Sequence, residues 1–488
     1  MKRRFLTMAA VATMPLISAG CTTIGVLDGI SDPMAGFTTV AARAESITGK
    51  KTVWVQSSEE ARAVSERVKR LVQKKTIGPD VAVQVALLNN KGLQAAYAEI
   101  GLSAADMWQE SMLVNPTISV GMIGVDPVRT IEGAVVSNIL ALATRDRRVA
   151  VADARFRQAQ LRAAEETLRL AADTRRAWIN AVSAWESVSY LNQAQAAADA
   201  ASELAQKLGE TGAFTKTGQA REHVFYAVIT GQAAEARLAA RTAKEELTRL
   251  MGLWGPDVDY SVPNALPGLP KGAKAKRAIE VEALRNRVDL EIAKLELEAL
   301  AKSYGLTEAT RYVSDLELLS GVEVEREEAE EAEEGGTETS VSPTLELEFV
   351  IPIFDTGQAR MRKAELAYMQ AANRMAEKAV NIRSEARSAY DAYRSTYDIA
   401  RHYRNSVVPL RTKIEAESVL TYNGMITNTF ELLADTRAKI SAIMLSLNAK
   451  RNFWLADVNL GTAIHGGGAN SPEGGDAPAA AEAGAEGH

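Results

Sequence analysis

The residue types that most often carry catalysis or bind metals are few in this chain and widely spaced. There is one cysteine, Cys21, and there are four histidines: His223, His402, His465 and His488. These spacings do not match the short ligand intervals of a zinc site, and the sequence has neither a nucleophile motif nor a phosphate-binding glycine loop. The pattern predicts a protein that is not an enzyme and that needs no metal or cofactor.

The segment that ends at Cys21 has the order of an export signal. The sequence MKRRFLTMAAVATMPLISAGC has a basic start, an apolar stretch and small residues before the cysteine, so residues 1–20 are set aside from the fold. Its SAGC ending resembles the bacterial lipoprotein box, in which the cysteine becomes the lipidated first residue. Residue 22 is Thr rather than Asp, which by lipoprotein sorting habits predicts the outer membrane of a Gram-negative bacterium. We predict that Cys21 carries a lipid; the alternative is an ordinary signal peptide with an incidental cysteine.

Carboxylates are concentrated in two other places. Eight glutamates lie between Glu323 and Glu334. They predict a solvated acidic loop, with a cation-attracting surface as the alternative. Glu431 and Asp435 fall in the first turns of a predicted helix, where negative charge is favoured by the helix dipole.

Composition narrows the class of protein. The chain has 488 residues, of which 47% are hydrophobic and 24% charged, and its net charge is -6. That charge, together with the absence of a dense basic patch, argues against a nucleic-acid partner. Proline is rare, with 14 residues, and alanine is abundant, which favours long helices. A transmembrane helix needs an apolar run of about 18 residues or more, and none follows position 20, so we expect no such helix.

A short turn sequence occurs twice along the chain. ETGAFTKTGQ contains Gly212, and YNGMITNTFELLAD contains Gly424 at an offset of 212 from it. A glycine in each turn suits the end of a helix, where a positive φ is needed, and Thr217 and Thr429 suit the caps of the helices that follow. The same offset relates two aromatic pairs that we expect to pack between helices: Trp178 with Tyr390 and Trp185 with Tyr397.

A second offset shows where one copy is longer. ALLNNKGL at 86–93 corresponds to ALRNRVDL at 283–290, an offset of 197, and the acidic stretch at 324–341 accounts for the difference between the two offsets. The chain is therefore predicted to contain two copies of one unit. The predicted organisation is a linker and equatorial segment at 21–79, a first repeat at 80–265, a second repeat at 266–462, and a disordered, low-complexity tail at 463–488.

Each repeat has the same predicted order of elements, in a fold that is mainly α with a small β part. TLELEFVI alternates four apolar residues with polar ones, which predicts a strand with two different faces. The long helical runs of about 60 residues would each span roughly 90 Å, which implies helices packed as coiled coils. The predicted elements are opening helices at about 80–112 and 276–307, hairpins at about 116–140 and 311–353, long helices at about 145–208 and 356–418, and return helices at about 217–252 and 428–460.

Several stretches together resemble the TolC family of bacterial outer-membrane efflux channels. NPTISVG resembles the family's first strand, and IPIFDTGQAR resembles the stretch that closes its second hairpin. NRVDLEIAKLELEALAKSYG, YNGMITNTFELLADTRAKI and LNAKRNFWLADVNL resemble its helices and second turn. The resemblance covers about residues 80–460.

The resemblance implies a homotrimer. Each protomer would give four strands to one shared 12-stranded β-barrel in the outer-membrane lipid and its helices to a coiled-coil tunnel in the periplasm. The implied function is an outer-membrane exit duct of a tripartite efflux or type I secretion-like system, which works passively with a periplasmic adaptor and an inner-membrane pump. The alternative is a periplasmic coiled-coil structural or adaptor protein that does not insert in a membrane.

The resemblance also implies roles for the two turns. In the family the adaptor docks tip to tip, and the chain's candidate docking residues are Gly212, Ala213, Phe214, Thr215, Gly424, Met425, Ile426 and Thr427. Phe214 and Ile426 either expose apolar surface for the adaptor or pack back between their own helices. Glu431 and Asp435 become candidates for an acidic ring at a periplasmic gate, with the helix-dipole role as the alternative.

Overall fold

The computed structural model describes residues 29–125, 128–212, 214–275, 278–328, 337–424, 426–427 and 429–467. The predicted signal peptide, Cys21, Ala213, Met425 and the tail beyond residue 467 lie outside the described residues. The described elements are α1 (Phe37–Thr48), α2 (Ser58–Val72), α3 (Pro79–Asn89), α4 (Lys91–Ser111), β1 (Thr117–Val125), β2 (Val128–Asn138), α5 (Ile139–Glu210), α6 (Lys216–Leu250), α7 (Ile279–Asn286), α8 (Val288–Ala309), β3 (Leu316–Glu328), β4 (Thr337–Phe349), α9 (Gln358–His402), α10 (Val408–Asn423) and α11 (Thr429–His465).

Both predicted opening helices are in fact broken, so the prediction of one continuous helix in each place is wrong. In the first, Asn90 separates α3 from α4; its side-chain oxygen accepts a hydrogen bond from the Leu93 N–H at 3.0 Å and caps α4. The Asn90 amide also donates to the Leu250 carbonyl at the end of α6, at 2.9 Å. One asparagine thus satisfies backbone groups of two helices, which compensates for the helical hydrogen bonds lost at the break. In the second, the break falls at Arg287, between α7 and α8.

The long helices form the rod of the molecule. α5 runs for 72 residues, about 108 Å, and α6 returns along it. In the second half the predicted continuous helix is interrupted by a π-helical turn at Tyr403–Val407, between α9 and α10. Pro409 lies two residues after the end of this turn, and because proline has no N–H it cannot donate the regular helical hydrogen bond. α11 then returns along α10 and α9.

Aromatic residues pack where the helices meet, as predicted. Trp178 is buried and its indole N–H donates to the Ile77 carbonyl at 2.9 Å, while the Tyr397 hydroxyl donates to the Pro270 carbonyl at 3.1 Å. Trp185 and Tyr390 are partly buried against the same two cores. These residues contribute to packing between the helices and the segments that cross them.

A buried ionic cluster connects the two halves of the chain. The guanidinium of Arg287 donates to both carboxylate oxygens of Asp289, at 2.9 and 2.8 Å, and also pairs with Glu385 on α9. Arg287 and Asp289 are both nearly inaccessible. Glu165 of α5 lies close by, and burial together with the Asp289 charge raises the pKa of its carboxyl group. The cluster therefore joins α5 of the first half to α8 and α9 of the second.

The strands form one antiparallel sheet in the order β1-β2-β3-β4. The two hairpins are joined through β2 and β3, where Ile131 lies opposite Val324. β3 extends to Glu328 and β4 begins at Thr337, so much of the stretch predicted as an acidic loop is strand. The prediction was wrong there because Val324 and Val341 are paired and continue the apolar alternation. Among the described helices none is both long and apolar enough to span a membrane.

Candidate functional site at the sheet and at the helical turns

One face of the four-stranded sheet is apolar from edge to edge. The pairing register aligns the alternation of all four strands, so their apolar side chains fall on the same face. Most of these side chains are exposed; Leu345, in the middle of β4, is 75% exposed. The apolar face carries Ile118, Val120, Met122, Ile131, Val135, Leu316, Leu318, Val322, Val324, Val341, Leu345, Leu347 and Phe349.

The opposite face is acidic. Glu132 lies opposite Glu323, and Glu317 lies opposite Glu348. Like charges placed directly across a strand pair destabilise it unless water screens them, so this face requires a hydrated environment. Among the strand residues whose side chains the structure describes, this face has no Lys or Arg. The two faces of the sheet thus suit different surroundings, one apolar and one aqueous.

Both edges of the sheet are open within one chain. Among the described strands β1 pairs only with β2, and β4 pairs only with β3. Each edge presents a row of backbone N–H and C=O groups that in an apolar medium must find partners. Within one chain these edge groups have no strand partner among the described residues.

The two turns lie side by side at the end of the rod farthest from the sheet. Arg437 of α11 donates to Glu222 of α6 at 2.8 Å, and its guanidinium lies 4.4 Å from the centre of the Phe225 ring. Glu222 is only 2% exposed, and its second carboxylate oxygen has no hydrogen-bond partner among the described residues. Sequence reasoning missed this contact. The internal repeat could have indicated this contact, because Phe225 and Arg437 occupy corresponding positions in the two copies.

The backbone of the two turns differs. Gly212 has a φ of 74°, the left-handed conformation predicted for it. The same prediction is wrong for Gly424, whose φ is −80°. Here the N–H groups of Ile426 and Thr427 both donate to the Thr421 carbonyl, so the turn closes without a left-handed conformation at Gly424.

The first turn also differs from the predicted cap, and it decides between the two alternatives for Phe214. The cap of α6 is Thr215, whose hydroxyl accepts from the Gly218 N–H at 3.1 Å; Thr217 lies inside the helix. Phe214 does not expose its ring, because the chain folds back after Gly212 and the Phe214 N–H donates to the Leu208 carbonyl. Its side chain is 8% exposed.

The second turn keeps an exposed apolar residue, as predicted. Ile426 is 79% exposed at the tip. Gly212, Thr215 and Gly424 are exposed as well, whereas Thr427 is half-buried and its hydroxyl lies 3.0 Å from that of Thr421.

The structure places Glu431 and Asp435 one turn apart near the start of α11. Glu431 is exposed, and Asp435 is half-buried, with its carboxylate accepting a hydrogen bond from the Ser418 hydroxyl of α10. Asp435 therefore holds the two helices of its own coil together. Among the described residues no group of three or more His, Cys, Asp or Glu side chains is arranged to bind a metal ion.

Comparison with known proteins gives structural matches only. No family model and no curated protein sequence matches the chain. The outer membrane channel CmeC of Campylobacter jejuni matches with a TM-score of 0.66 at 16% identity, over 87% of this chain and 91% of that one. The outer-membrane channel OprN matches with a TM-score of 0.65 at 17% identity, over 87% and 95%. The open state of the Neisseria gonorrhoeae MtrE outer membrane channel matches with a TM-score of 0.62 at 16% identity, over 82% and 89%. The chain has the fold of the TolC-family outer-membrane channels.

Proposed function

We propose that the chain is the outer-membrane exit duct of a tripartite efflux or type I secretion-like system and conducts its cargo passively. The observation that carries the proposal is the sheet, which is apolar on one face, acidic on the other and continuous with a helical rod of about 108 Å. Lipid would cover the apolar face, and water and cargo would pass along the acidic face. A periplasmic structural or adaptor coiled coil, the alternative, has no use for an exposed apolar sheet.

Three copies would complete the duct. Four strands cannot close around a lumen, but three copies supply twelve, with β4 of one copy pairing with β1 of the next. Closure would satisfy both open edges, which lipid does not tolerate. The helices of three copies would then form the tunnel through the periplasm.

Anchoring and delivery complete the proposal. A lipid on Cys21 would tether the chain to the outer membrane of a Gram-negative bacterium, since each buried methylene contributes about 0.8 kcal/mol. An inner-membrane pump and its periplasmic adaptor would deliver the cargo at the tips. Gly212, Ala213, Thr215, Gly424, Met425, Ile426 and Thr427 remain the proposed docking residues, and Glu431 and Asp435 the proposed gate; Phe214 is dropped because it is buried.

The variant Ile426→Asp tests docking and conduction together. A carboxylate buried without a partner costs about 3–5 kcal/mol, so adaptor binding should weaken roughly 10²–10⁴-fold. Adaptor cross-linking in cells should be lost. The purified variant should still form conducting pores in a planar bilayer, because Ile426 lies far from the sheet that would form the membrane part of the pore.

The variant Ile426→Leu is the matched control and should behave as the wild type in both assays. Normal adaptor cross-linking by the Ile426→Asp variant would show that the docking surface does not include the second turn. If the wild-type protein itself formed no conducting pore, the duct would be rejected in favour of the coiled-coil alternative.

A further inference from the structure

Five arginines stand at intervals of seven residues along α5. Seven residues are almost two helical turns, so these arginines follow one another along one side of the helix. We call them the arginine stripe: Arg148, Arg155, Arg162, Arg169 and Arg176. From Arg155 to Arg169 the three stripe residues are exposed, and every other residue of the segment is buried or partly buried. The neighbouring helices therefore leave this face of α5 open.

The stripe is neutralised at its two ends. Each end arginine forms an ion pair at 2.6 Å; the pairs are Arg148 with Glu110, Arg169 with Glu166, and Arg176 with Asp173. In the last two pairs the carboxylate stands three residues before its arginine, one turn away on the same side of α5.

The middle of the stripe has no such compensation. Ala152 stands three residues before Arg155, and Ala159 stands three residues before Arg162, where the other arginines have Glu or Asp. Neither guanidinium forms an ion pair or a hydrogen bond with any residue that the structure describes. Two positive charges on the open face of α5 are thus left without a partner in the described part of the chain.

The last described residues of the chain lie on this stripe. Asn459 and Thr462 of α11 accept hydrogen bonds from Arg176, and five residues later the chain reaches Arg169, one heptad nearer the sheet. Gly467 lies against the α5 backbone there: its φ is 78°, and a Cβ on it would lie 2.7 Å from the Arg169 nitrogen. Only glycine fits such a position. The acidic tail defined next therefore begins on α5, beside the two unpaired arginines.

The acidic tail is residues 468–488. Its charged side chains, apart from one histidine, are all carboxylates: Glu473, Asp476, Glu482 and Glu486. It contains neither lysine nor arginine, so it has no cation of its own to pair with them. A segment of this composition cannot bury a core of its own, but it is complementary in charge to the middle of the stripe.

The acidic tail is long enough to reach both unpaired arginines. Along the helix axis Arg162 is about 10 Å and Arg155 about 21 Å from the point where the tail begins. An extended chain covers about 3.3 Å per residue, so Glu473 can reach about 20 Å and Asp476 about 30 Å from that point. Because the tail is tethered beside the stripe, the contact is intramolecular, and the effective concentration of its carboxylates is high.

We propose that the acidic tail of this chain binds along the arginine stripe of its own α5, with Glu473 and Asp476 paired with Arg162 and Arg155. The tail is favoured over any other acidic partner because it starts on the stripe. This inference goes beyond the proposed function and holds whether or not the chain conducts cargo.

The mobility of a nitroxide label in the tail tests the proposal. Cys21 is the only cysteine of the chain, so Cys21→Ser with Gly474→Cys places one label between the two acidic residues of the full chain in detergent. Its electron paramagnetic resonance spectrum should show a motionally restricted label. Adding Arg155→Glu/Arg162→Glu should raise the ratio of mobile to restricted label roughly 2- to 30-fold, as expected for the loss of two exposed ion pairs.

Two control variants make the result specific. Arg62→Glu/Arg67→Glu makes the same charge change on two exposed arginines of α2 and should leave the spectrum unchanged. Glu473→Arg/Asp476→Arg combined with Arg155→Glu/Arg162→Glu exchanges the charges of both partners and should restore the restricted spectrum.

Three outcomes would overturn the proposal. One is a mobile label on the unaltered stripe, and another is a label that stays restricted after both arginines are reversed. The third comes from co-expressing the labelled chain with an excess of unlabelled chains that carry Arg155→Glu/Arg162→Glu. The label should stay restricted there, because its own α5 is intact; a mobile label would assign the tail to the stripe of a second copy.

Discussion

Leu345→Arg should abolish membrane insertion of the sheet. Leu345 lies on the apolar face opposite Ser320, halfway along the row from Leu316 to Val324, which would place it near the middle of the bilayer in the proposed duct. An arginine on the lipid face there costs about 2–4 kcal/mol, and three copies triple the cost to about 6–12 kcal/mol. The side chain is exposed in the single chain, so the substitution leaves the fold of one copy unaffected. The measurement is flotation of the protein with membranes after urea extraction, in a Cys21→Ser background so that the proposed lipid cannot hold the protein on the membrane.

Ser342→Arg is the matched control. Ser342 lies three residues away on the same strand but on the acidic face, opposite Glu323. An arginine there meets water and carboxylates, so the protein should float with membranes as the wild type does. Equal flotation of both variants would mean that the apolar face is not in lipid.

Arg287→Met should destabilise the helical part of the molecule by about 3–5 kcal/mol, because it leaves the buried Asp289 carboxylate without its partner. The other two members of the cluster, Glu385 and Glu165, are acidic and cannot replace the lost positive charge. The nearest remaining cation is Lys378, 3.9 Å from Asp289. The free energy of unfolding, from urea titration followed by circular dichroism, measures the effect.

Two further variants show whether the effect comes from breaking the buried ion pair or merely from removing one positive charge. Arg285→Met removes an exposed arginine close to the cluster and should change the free energy of unfolding by less than about 0.5 kcal/mol. The double variant Arg287→Met/Asp289→Leu removes both charges and should recover much of the loss, since a buried ion pair replaced by apolar residues is often neutral. A double variant as unstable as Arg287→Met would contradict this explanation.

Periodicity in the sequence predicted the helical rod and the existence of both hairpins. The period-two alternation in TLELEFVI follows directly from the two faces of β4, because successive side chains of a strand point to opposite faces of the sheet. Long runs rich in alanine and poor in proline likewise indicate helices whatever their partners. These features are local, so they can be read from one segment at a time.

The features that sequence reasoning missed depend on distant partners. The break at Asn90 is compensated by the distant end of α6, which no pattern within the first helix indicates. The pairing of β2 with β3 aligns the faces of the two hairpins, and neither strand encodes it alone. The contact of Arg437 with Glu222 forms only when the two coils lie side by side. In each case the deciding contact joins residues that no local pattern relates.

The copy number of the full-length protein, extracted from membranes in a mild detergent and measured by native mass spectrometry, tests the shared duct most directly. Four strands with two open edges in each chain predict a particle of three copies and no stable smaller species. A stable monomer or dimer that keeps its folded sheet would contradict a barrel shared among three chains.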